Sequence, residues 1–165
     1  FGFEGDGGSS TEGHRILDRT RGRLWRYYEA SDSIDVCPSF AIDSSRYKPK
    51  YKTNWSTYGL PQKLANPASP TTTQQIHQPA DTLAFADCAQ INTWQSPASA
   101  TNPMFEQWFY IARSLETVHY VHNRHANASM FDGHVQMLIP EFTLNETFAE
   151  APVGRPPSDV VIQVN

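Results

Sequence analysis

Alternating apolar and polar positions predict a β-hairpin in the C-terminal half of the chain. Two such runs lie within residues 127–138 and flank the pair Asp132-Gly133. Asp-Gly between alternating runs favours a two-residue type I′ turn, because both central residues of that turn need positive φ. In this register Met130 faces Val135, and the apolar side chains of both strands share one side. We therefore predict an antiparallel hairpin with one apolar face.

Shorter apolar runs predict the remaining elements. Residues 11–28 carry apolar side chains at roughly helical spacing, which favours a helix that Gly22 interrupts or weakens. Residues 33–38 alternate and stop at a proline, as a short strand does. The compact run 82–88 indicates a central strand, whereas periodicity leaves residues 104–115 open between a strand and a short helix.

Composition adds a loop-rich surface to this picture. The 165 residues are 39% hydrophobic and include 12 prolines and 9 glycines, which supports one core of moderate size but few regular elements. Residues 39–80 are polar with interspersed aromatic side chains, so we expect a long surface loop. We predict a single domain over residues 1–165, with irregular ends at 1–10 and 151–165; the alternation at 160–164 also fits an edge strand.

The net charge excludes one class of partner. The chain carries a formal charge of -4 at pH 7 and has no basic stripe, so we expect no nucleic-acid binding. No run approaches the roughly 18–20 apolar residues that span a bilayer. The chain begins at Phe1 and not at a methionine, and we therefore expect a processed or excised fragment whose targeting segment lies upstream.

The two cysteines, Cys37 and Cys88, leave two interpretations open. Their spacing fits neither a zinc motif nor a redox motif. In an oxidising compartment a disulfide between them would close a long loop and contribute roughly 4 kcal/mol in the chain-entropy model. Alternatively, both are buried free thiols.

Residues 121–135 resemble the C-terminal signature of bacterial pilin-like proteins, the group that includes type II secretion pseudopilins. In that signature nine residues separate a histidine from Asp-Gly, and His122 with Asp132 and Gly133 fits this spacing. The Arg-His pair that is usual in the family ends at His125, which makes His125 the alternative equivalent.

Three further segments are similar to the same family pattern, in the same order. Residues 22–39 look like its short helix and strand ending in Cys-Pro, residues 57–60 like its Tyr-Gly segment, and residues 79–87 like its strand ending in Ala-Asp. The resemblance implies an α+β pilin-like head domain. In such a domain an antiparallel β-sheet with long loops packs against an N-terminal hydrophobic helix, which is missing from this sequence.

The resemblance implies a structural protein and not an enzyme. We expect a subunit of a type II secretion pseudopilus or type IV pilus-like filament, which acts through assembly and surface contacts with other pilin-like subunits and requires no cofactor. Contact with the membrane would be made only by the missing helix. The implied location is the periplasm or the cell surface, with anchoring in the inner membrane before assembly.

Side chains near the signature also have the ligand types for a divalent ion. His122, His125, Asp132 and His134 lie close together in sequence. Because major secretion pseudopilins bind calcium in a C-terminal loop, the resemblance makes calcium one option, but a set composed mostly of imidazoles suits zinc better. The alternative function is therefore a periplasmic or secreted ligand- or metal-binding module, with these residues and the 39–80 loop as its site.

Local patterns for catalysis are weak. The sequence contains no serine nucleophile elbow and no phosphate-binding loop. Asp87, Asp132 and Glu141 could meet in space, which leaves a hydrolase using Asp87 or Asp132 with a histidine as a third hypothesis. Turn geometry alone explains Asp132-Gly133, and His125 and Arg124 are expected to hydrogen-bond loop carbonyls or Asp87.

Overall fold

The structure is a computed structural model that describes residues 35–52, 56–64 and 70–162, together with Thr20, residues 25–27 and Ala68. Within these residues the regular elements are nine short strands and the single-turn 3₁₀ helices Trp25–Tyr27 and Thr73–Gln75. The strands are β1 (Tyr58–Pro61), β2 (Leu83–Asp87), β3 (Ala89–Asn92), β4 (Met104–Gln107), β5 (Tyr110–Ile111), β6 (Val118–His119), β7 (Ala126–Met130), β8 (Val135–Leu138) and β9 (Val153–Gly154). The predicted irregular end 1–10 and most of the predicted helix 11–28 lie outside the described residues.

Five strands form the main sheet, in the order β5, β1, β2, β7, β8. β1 pairs with β5 in parallel, and the other neighbours pair antiparallel. The predicted central strand over residues 82–88 is confirmed, because β2 lies in the middle of this sheet. The remaining strands form two ribbons, β3 with β4 and β6 with β9.

The predicted α+β class is wrong. The structure is 33% strand and 6% helix, and its described residues include no helix of seven or more residues. The apolar runs here are only two to five residues long and end at turn residues, a pattern that suits strands, whereas an amphipathic helix needs a longer repeat. In the described part of the chain, no helix has the length and apolarity to cross a bilayer.

Two apolar clusters form the core. The larger one packs Leu83, Ala128 and Leu138 from the main sheet against Tyr120 and Ile162 from outside it. The second is built on aromatic rings in tilted and edge-to-face contact: Phe40, Tyr47, Phe105 and Phe148. Together these clusters bury one face of the main sheet and the ribbon of β3 and β4 beside it.

One segment takes one of its two predicted forms, and another differs from its prediction. Residues 104–115, left open between a strand and a helix, contain the two strands β4 and β5. The predicted strand over 33–38 is wrong in its described part, because the chain turns there. The Phe40 N–H donates a hydrogen bond to the Cys37 carbonyl at 2.9 Å.

The C-terminal end is more ordered than predicted. Within residues 151–165, β9 pairs with β6, and Val161 bridges to Thr82 beside β2. The Arg113 guanidinium donates hydrogen bonds to several carbonyls of this end, including that of Pro156 at 3.4 Å. The described part of this end is therefore anchored to the core.

The predicted hairpin forms, but its turn and register differ from the prediction. Of Asp132 and Gly133, only Gly133 has a positive φ, of 94°. The Gly133 N–H donates to the Met130 carbonyl at 3.0 Å, and the Met130 N–H donates to the His134 carbonyl at 2.9 Å. The loop is therefore the three residues 131–133, a type I turn followed by a left-handed glycine, and not a type I′ turn.

This third loop residue shifts the pairing by one position. Val135 lies opposite Ser129, and not opposite Met130 as predicted. A shift of one residue turns every side chain of a strand to the other face of the sheet. Leu138 consequently points into the core, while Val135 and Met137 are 70% and 64% exposed.

Candidate metal centre

Three side chains from distant parts of the chain converge on one point. Cys37 lies in a turn near the start of the described chain, Asp87 ends β2, and His122 precedes β7. Their ligand atoms all lie within 4.8 Å of one another. The Nε2 atom of His122 is 3.3 Å from the Cys37 Sγ atom and 3.2 Å from the Asp87 Oδ2 atom.

Asp87 is a buried carboxylate with an incomplete set of partners. Its side chain is 1% exposed. The Oδ2 atom accepts a hydrogen bond from the Asn127 backbone N–H at 2.7 Å, whereas the Oδ1 atom has no hydrogen-bond partner among the described residues. Burial raises the pKa of Asp87, and the Asn127 N–H and His122 offset this only in part. Such a group is costly to bury unless a cation or donor satisfies it.

A tight turn sets the position of His122. His122 and His125 exchange two backbone hydrogen bonds, at 3.0 and 3.1 Å, across the two residues Asn123 and Arg124. These two have φ of 53° and 64°, so both lie in the left-handed region, as in a type I′ turn. Asparagine tolerates this conformation, but arginine does so at a cost of the order of 1 kcal/mol. The turn places His122 against Asp87 at the end of β2.

Cys37 is held by its backbone. Its N–H donates to the Thr57 Oγ1 atom at 2.7 Å, just before β1. Burial raises the pKa of the Cys37 thiol, and the nearby charge of Asp87 raises it further. The same surroundings raise the pKa of Tyr58 to about 12, through burial first and then through Cys37 and Asp87. Burial is therefore the largest cause of the raised pKa values of Cys37, Tyr58 and Asp87.

His122 cannot satisfy both of its neighbours. The Nε2 atom of a neutral imidazole has either one proton or one lone pair, so it can donate to Asp87 or accept from Cys37, but not both. A metal ion between the three atoms would take a lone pair from each. With ordinary zinc bond lengths, tetrahedral ligand atoms would lie about 3.3–3.6 Å apart, close to the distances measured to His122 Nε2.

Of the four ligands predicted from sequence, only His122 belongs to this group. The His125 ring lies 2.8 Å from the Asn123 carbonyl, the loop contact that the sequence suggested. His134 pairs with Asp132 at 2.7 Å in the exposed hairpin turn. In the part of the chain that the structure describes, Cys37, Asp87 and His122 are the one group of three or more metal-ligating side chains.

The two cysteines are free, buried thiols, so the structure agrees with the second of the two interpretations that the sequence left open and no disulfide is formed. The reason is the alternation of the strand: Asp87 and Cys88 are adjacent and point to opposite faces. Cys88 lies in the core, where a Cβ added to Gly59 would come within 2.5 Å of its sulfur. Cys37 lies on the Asp87 side.

The carboxylates of the third hypothesis do not meet. Asp132 is exposed at the hairpin turn, and Asp87 is buried at the end of β2. Glu141 accepts hydrogen bonds from the Ser158 N–H at 2.6 Å and the Ser158 hydroxyl at 2.9 Å. This arrangement offers no pair of carboxylates for glycoside hydrolysis.

From the sequence, Cys37 was a candidate for a disulfide, and Asp87 was a candidate hydrogen-bond acceptor or catalytic group. A signal for their meeting was nevertheless present. Cys37, Asp87 and His122 come from three of the four segments on which the pilin-like resemblance rests. Segments that are recognised together as a set can share one site, even when no local spacing connects them.

Comparisons with protein-family models, with curated proteins and with solved structures found no match. Membership of the pilin-like family therefore stays a prediction from sequence segments. The site has to be interpreted from its own geometry.

Proposed function

We propose that this protein is a metal-binding module whose ion is held by Cys37, Asp87 and His122. The observation that carries the proposal is the convergence of these three side chains around one point, with the Asp87 Oδ1 atom unpartnered. The role we assign to the ion is structural: it links the Cys37 turn, the end of β2 and the His122 turn. Cys37 and His122 are 85 residues apart in sequence, so the link would close a long loop.

The ligand chemistry favours zinc. Thiolate, imidazole and carboxylate are the three protein ligand types of zinc, which binds them in tetrahedral geometry. Calcium and magnesium prefer oxygen ligands, and here only Asp87 offers oxygen. The His122 side chain is 27% exposed, so a water molecule can reach the fourth position. Because the thiol must lose its proton to bind, zinc binding releases protons.

Zinc titration of the untagged 165-residue chain, pretreated with a chelator that is then removed, tests the proposal. Calorimetry should show one ion per chain. At a free zinc concentration of 100 times Kd, the free energy of unfolding should rise by about 2.7 kcal/mol. For a chain of this size, that corresponds to a rise in melting temperature of about 5–10 °C.

Matched variants locate the ion. Cys37→Ser and His122→Gln should lose the zinc-dependent rise, whereas His134→Gln, which alters an exposed histidine of the hairpin turn, should keep it. With Co²⁺ in place of zinc, a thiolate-to-metal absorption band should appear in the original chain and be lost in Cys37→Ser. A rise that survives Cys37→Ser, or no zinc effect on the original chain, would contradict the proposal.

The role of a filament subunit, and with it a periplasmic or cell-surface location, stays a prediction from the sequence segments. A structural ion is compatible with such a role, since it would stabilise a small loop-rich domain without any catalysis. The sequence encoded upstream of Phe1 tests the prediction of a filament subunit. A glycine followed by Phe-Thr-Leu-Ile-Glu and about 15 further apolar residues would support a pilin-like precursor. A conventional signal peptide directly before Phe1 would contradict it.

A further inference from the structure

Among the described residues, strand β8 is an edge of the main sheet. It lies at the end of the strand order, beside β7 only. Between His134 and Glu141 the sequence is Val-Gln-Met-Leu-Ile-Pro, which contains no charged side chain. Natural proteins usually block such edges with lysines, bulges or a covering segment, because an open edge pairs with other strands.

The outward backbone groups of this edge can be assigned. The Met130 N–H donates to the His134 carbonyl, so His134 directs its backbone groups toward β7. In an antiparallel pair this direction alternates along the strand. The groups of Val135 and Met137, and of Ile139 just beyond β8, therefore point away from the sheet.

The same three residues carry the exposed apolar side chains of this region. Val135, Met137 and Ile139 are 70%, 64% and 66% exposed, whereas Leu138 between them is buried at 2%. Phe131, in the hairpin loop, adds a further side chain that is 39% exposed. One strip of the surface thus combines backbone groups that pair with none of the described strands with a contiguous apolar stripe, and exposed apolar patches of this kind mark interaction sites.

We propose that β8 pairs antiparallel with β8 of a second copy of this chain, about a two-fold axis at Met137. The two five-stranded sheets would then form one continuous sheet. Met137 would lie opposite Met137 of the partner subunit, and Val135 opposite Ile139 of the partner subunit. Backbone hydrogen bonds hold such an added strand in place, as in other cases of strand addition.

The partner of this edge is a second copy of the chain because the β8 segment is complementary to itself. Under the two-fold axis, apolar residues meet apolar residues at every outward position, and no like charges face each other. Pairing through one short strand per chain gives a small interface, at the lower end of the range for specific complexes, so we expect a weak dimer. The interface does not involve the metal site, so it is independent of the proposed function.

Sedimentation analysis from low to high micromolar concentration tests the pairing. The mass of the original chain should rise with concentration toward twice 18.6 kDa. Met137→Lys, which places a charge on the axis, should weaken the dimer at least tenfold without lowering the melting temperature. Trp94→Lys, an equally exposed aromatic site at 66% outside the strip, should leave it unchanged. A chain that stays monomeric throughout, as it would if another protein or a membrane covered the strip, overturns the proposal.

Cysteine cross-linking tests the register. Directly opposite residues in an antiparallel pair have Cα atoms about 4.5–5.5 Å apart, which a disulfide can span. Met137→Cys should therefore cross-link under mild oxidation. In Val135→Cys the two new thiols would lie about 13 Å apart along the strands and should not react. The native thiols at 37 and 88 are buried and should contribute no cross-link. Cross-linking of Val135→Cys with none of Met137→Cys would overturn the proposed axis.

Discussion

Two buried carboxylates in this molecule have opposite surroundings. Glu106 lies on β4 and is fully buried, and Asp87 at the end of β2 is 1% exposed. Glu106 accepts hydrogen bonds from Lys48 at 2.6 Å and Lys50 at 2.8 Å, and from Gln90. Asp87 has a thiol and one imidazole nitrogen beside it, and the structure pairs only one of its oxygens with a backbone N–H.

The pKa directions of the two groups follow from these partners. Burial alone would raise the pKa of Glu106, but the hydrogen bonds from Lys48 and Lys50 outweigh it, and the pKa lies below its ordinary value. Burial dominates at Asp87, and its pKa is raised. Two lysines thus neutralise Glu106, whereas at Asp87 the neighbouring His122, Cys37 and Asn127 offset the effect of burial only in part.

The largest expected effect concerns Glu106. Glu106→Gln removes the buried carboxylate charge that Lys48 and Lys50 share, so the free energy of unfolding at pH 7 should fall by about 3–5 kcal/mol. Urea denaturation followed by tryptophan fluorescence measures this change. Glu116→Gln, the same substitution at an exposed position, is the matched control and should cost less than about 0.5 kcal/mol.

The pH dependence of the cost of Glu106→Gln shows whether that cost comes from the ion pairs. Because the folded pKa of Glu106 is lowered, its contribution is complete above the unfolded value near 4.5 and is lost as the pH falls through the folded pKa. The cost of Glu106→Gln should therefore shrink steadily below pH 4.5. A cost that stays constant from pH 7 to the acid range would show that the substitution acts through packing and not through the ion pairs.

Short-range patterns predicted the parts of the fold that depend on neighbouring residues. The run 82–88 indicated β2 because a compact apolar segment suits a central strand, and Asp132-Gly133 correctly marked a turn. The sequence could not fix the register, because a two-residue and a three-residue loop both accept Asp-Gly and differ only in whether Phe131 joins the turn. That single residue decides which face of β8 is buried.

The site was harder to predict than the strands. His122 is a candidate ligand from the sequence because histidines cluster near the signature. Its partners lie 35 and 85 residues away in sequence, and no local spacing can show that they meet. The choice between a disulfide and two free thiols stayed open for a similar reason: whether Cys88 or Asp87 faces Cys37 depends on the phase of one strand.

The contribution of Asp87 to stability can be measured in metal-free protein. In chelator-treated protein, Asp87→Asn should change the free energy of unfolding by no more than about 1 kcal/mol, because the amide keeps an oxygen for the Asn127 N–H and removes a buried charge. In excess zinc the same variant should lack the stabilisation that the original chain gains. Urea denaturation in chelator and in zinc separates the two. If Asp87→Asn lowers the free energy of unfolding by 3 kcal/mol or more in chelator, Asp87 is a purely structural carboxylate like Glu106.

The smallest effect concerns the turn that positions His122. Arg124 has φ of 64° and pairs with Glu146 while both side chains are largely exposed, so the pair adds little stability. Arg124→Gly and Arg124→Ala both remove that pair, but only glycine adopts the left-handed region without strain. The glycine variant should therefore be more stable than the alanine variant by roughly 0.5–1 kcal/mol in urea denaturation.

Because the turn holds one ligand, zinc should also bind the alanine variant more weakly. Equal stability and equal zinc affinity would mean that His122 reaches Asp87 without the type I′ turn, and the site would then depend on β2 and the Cys37 turn alone.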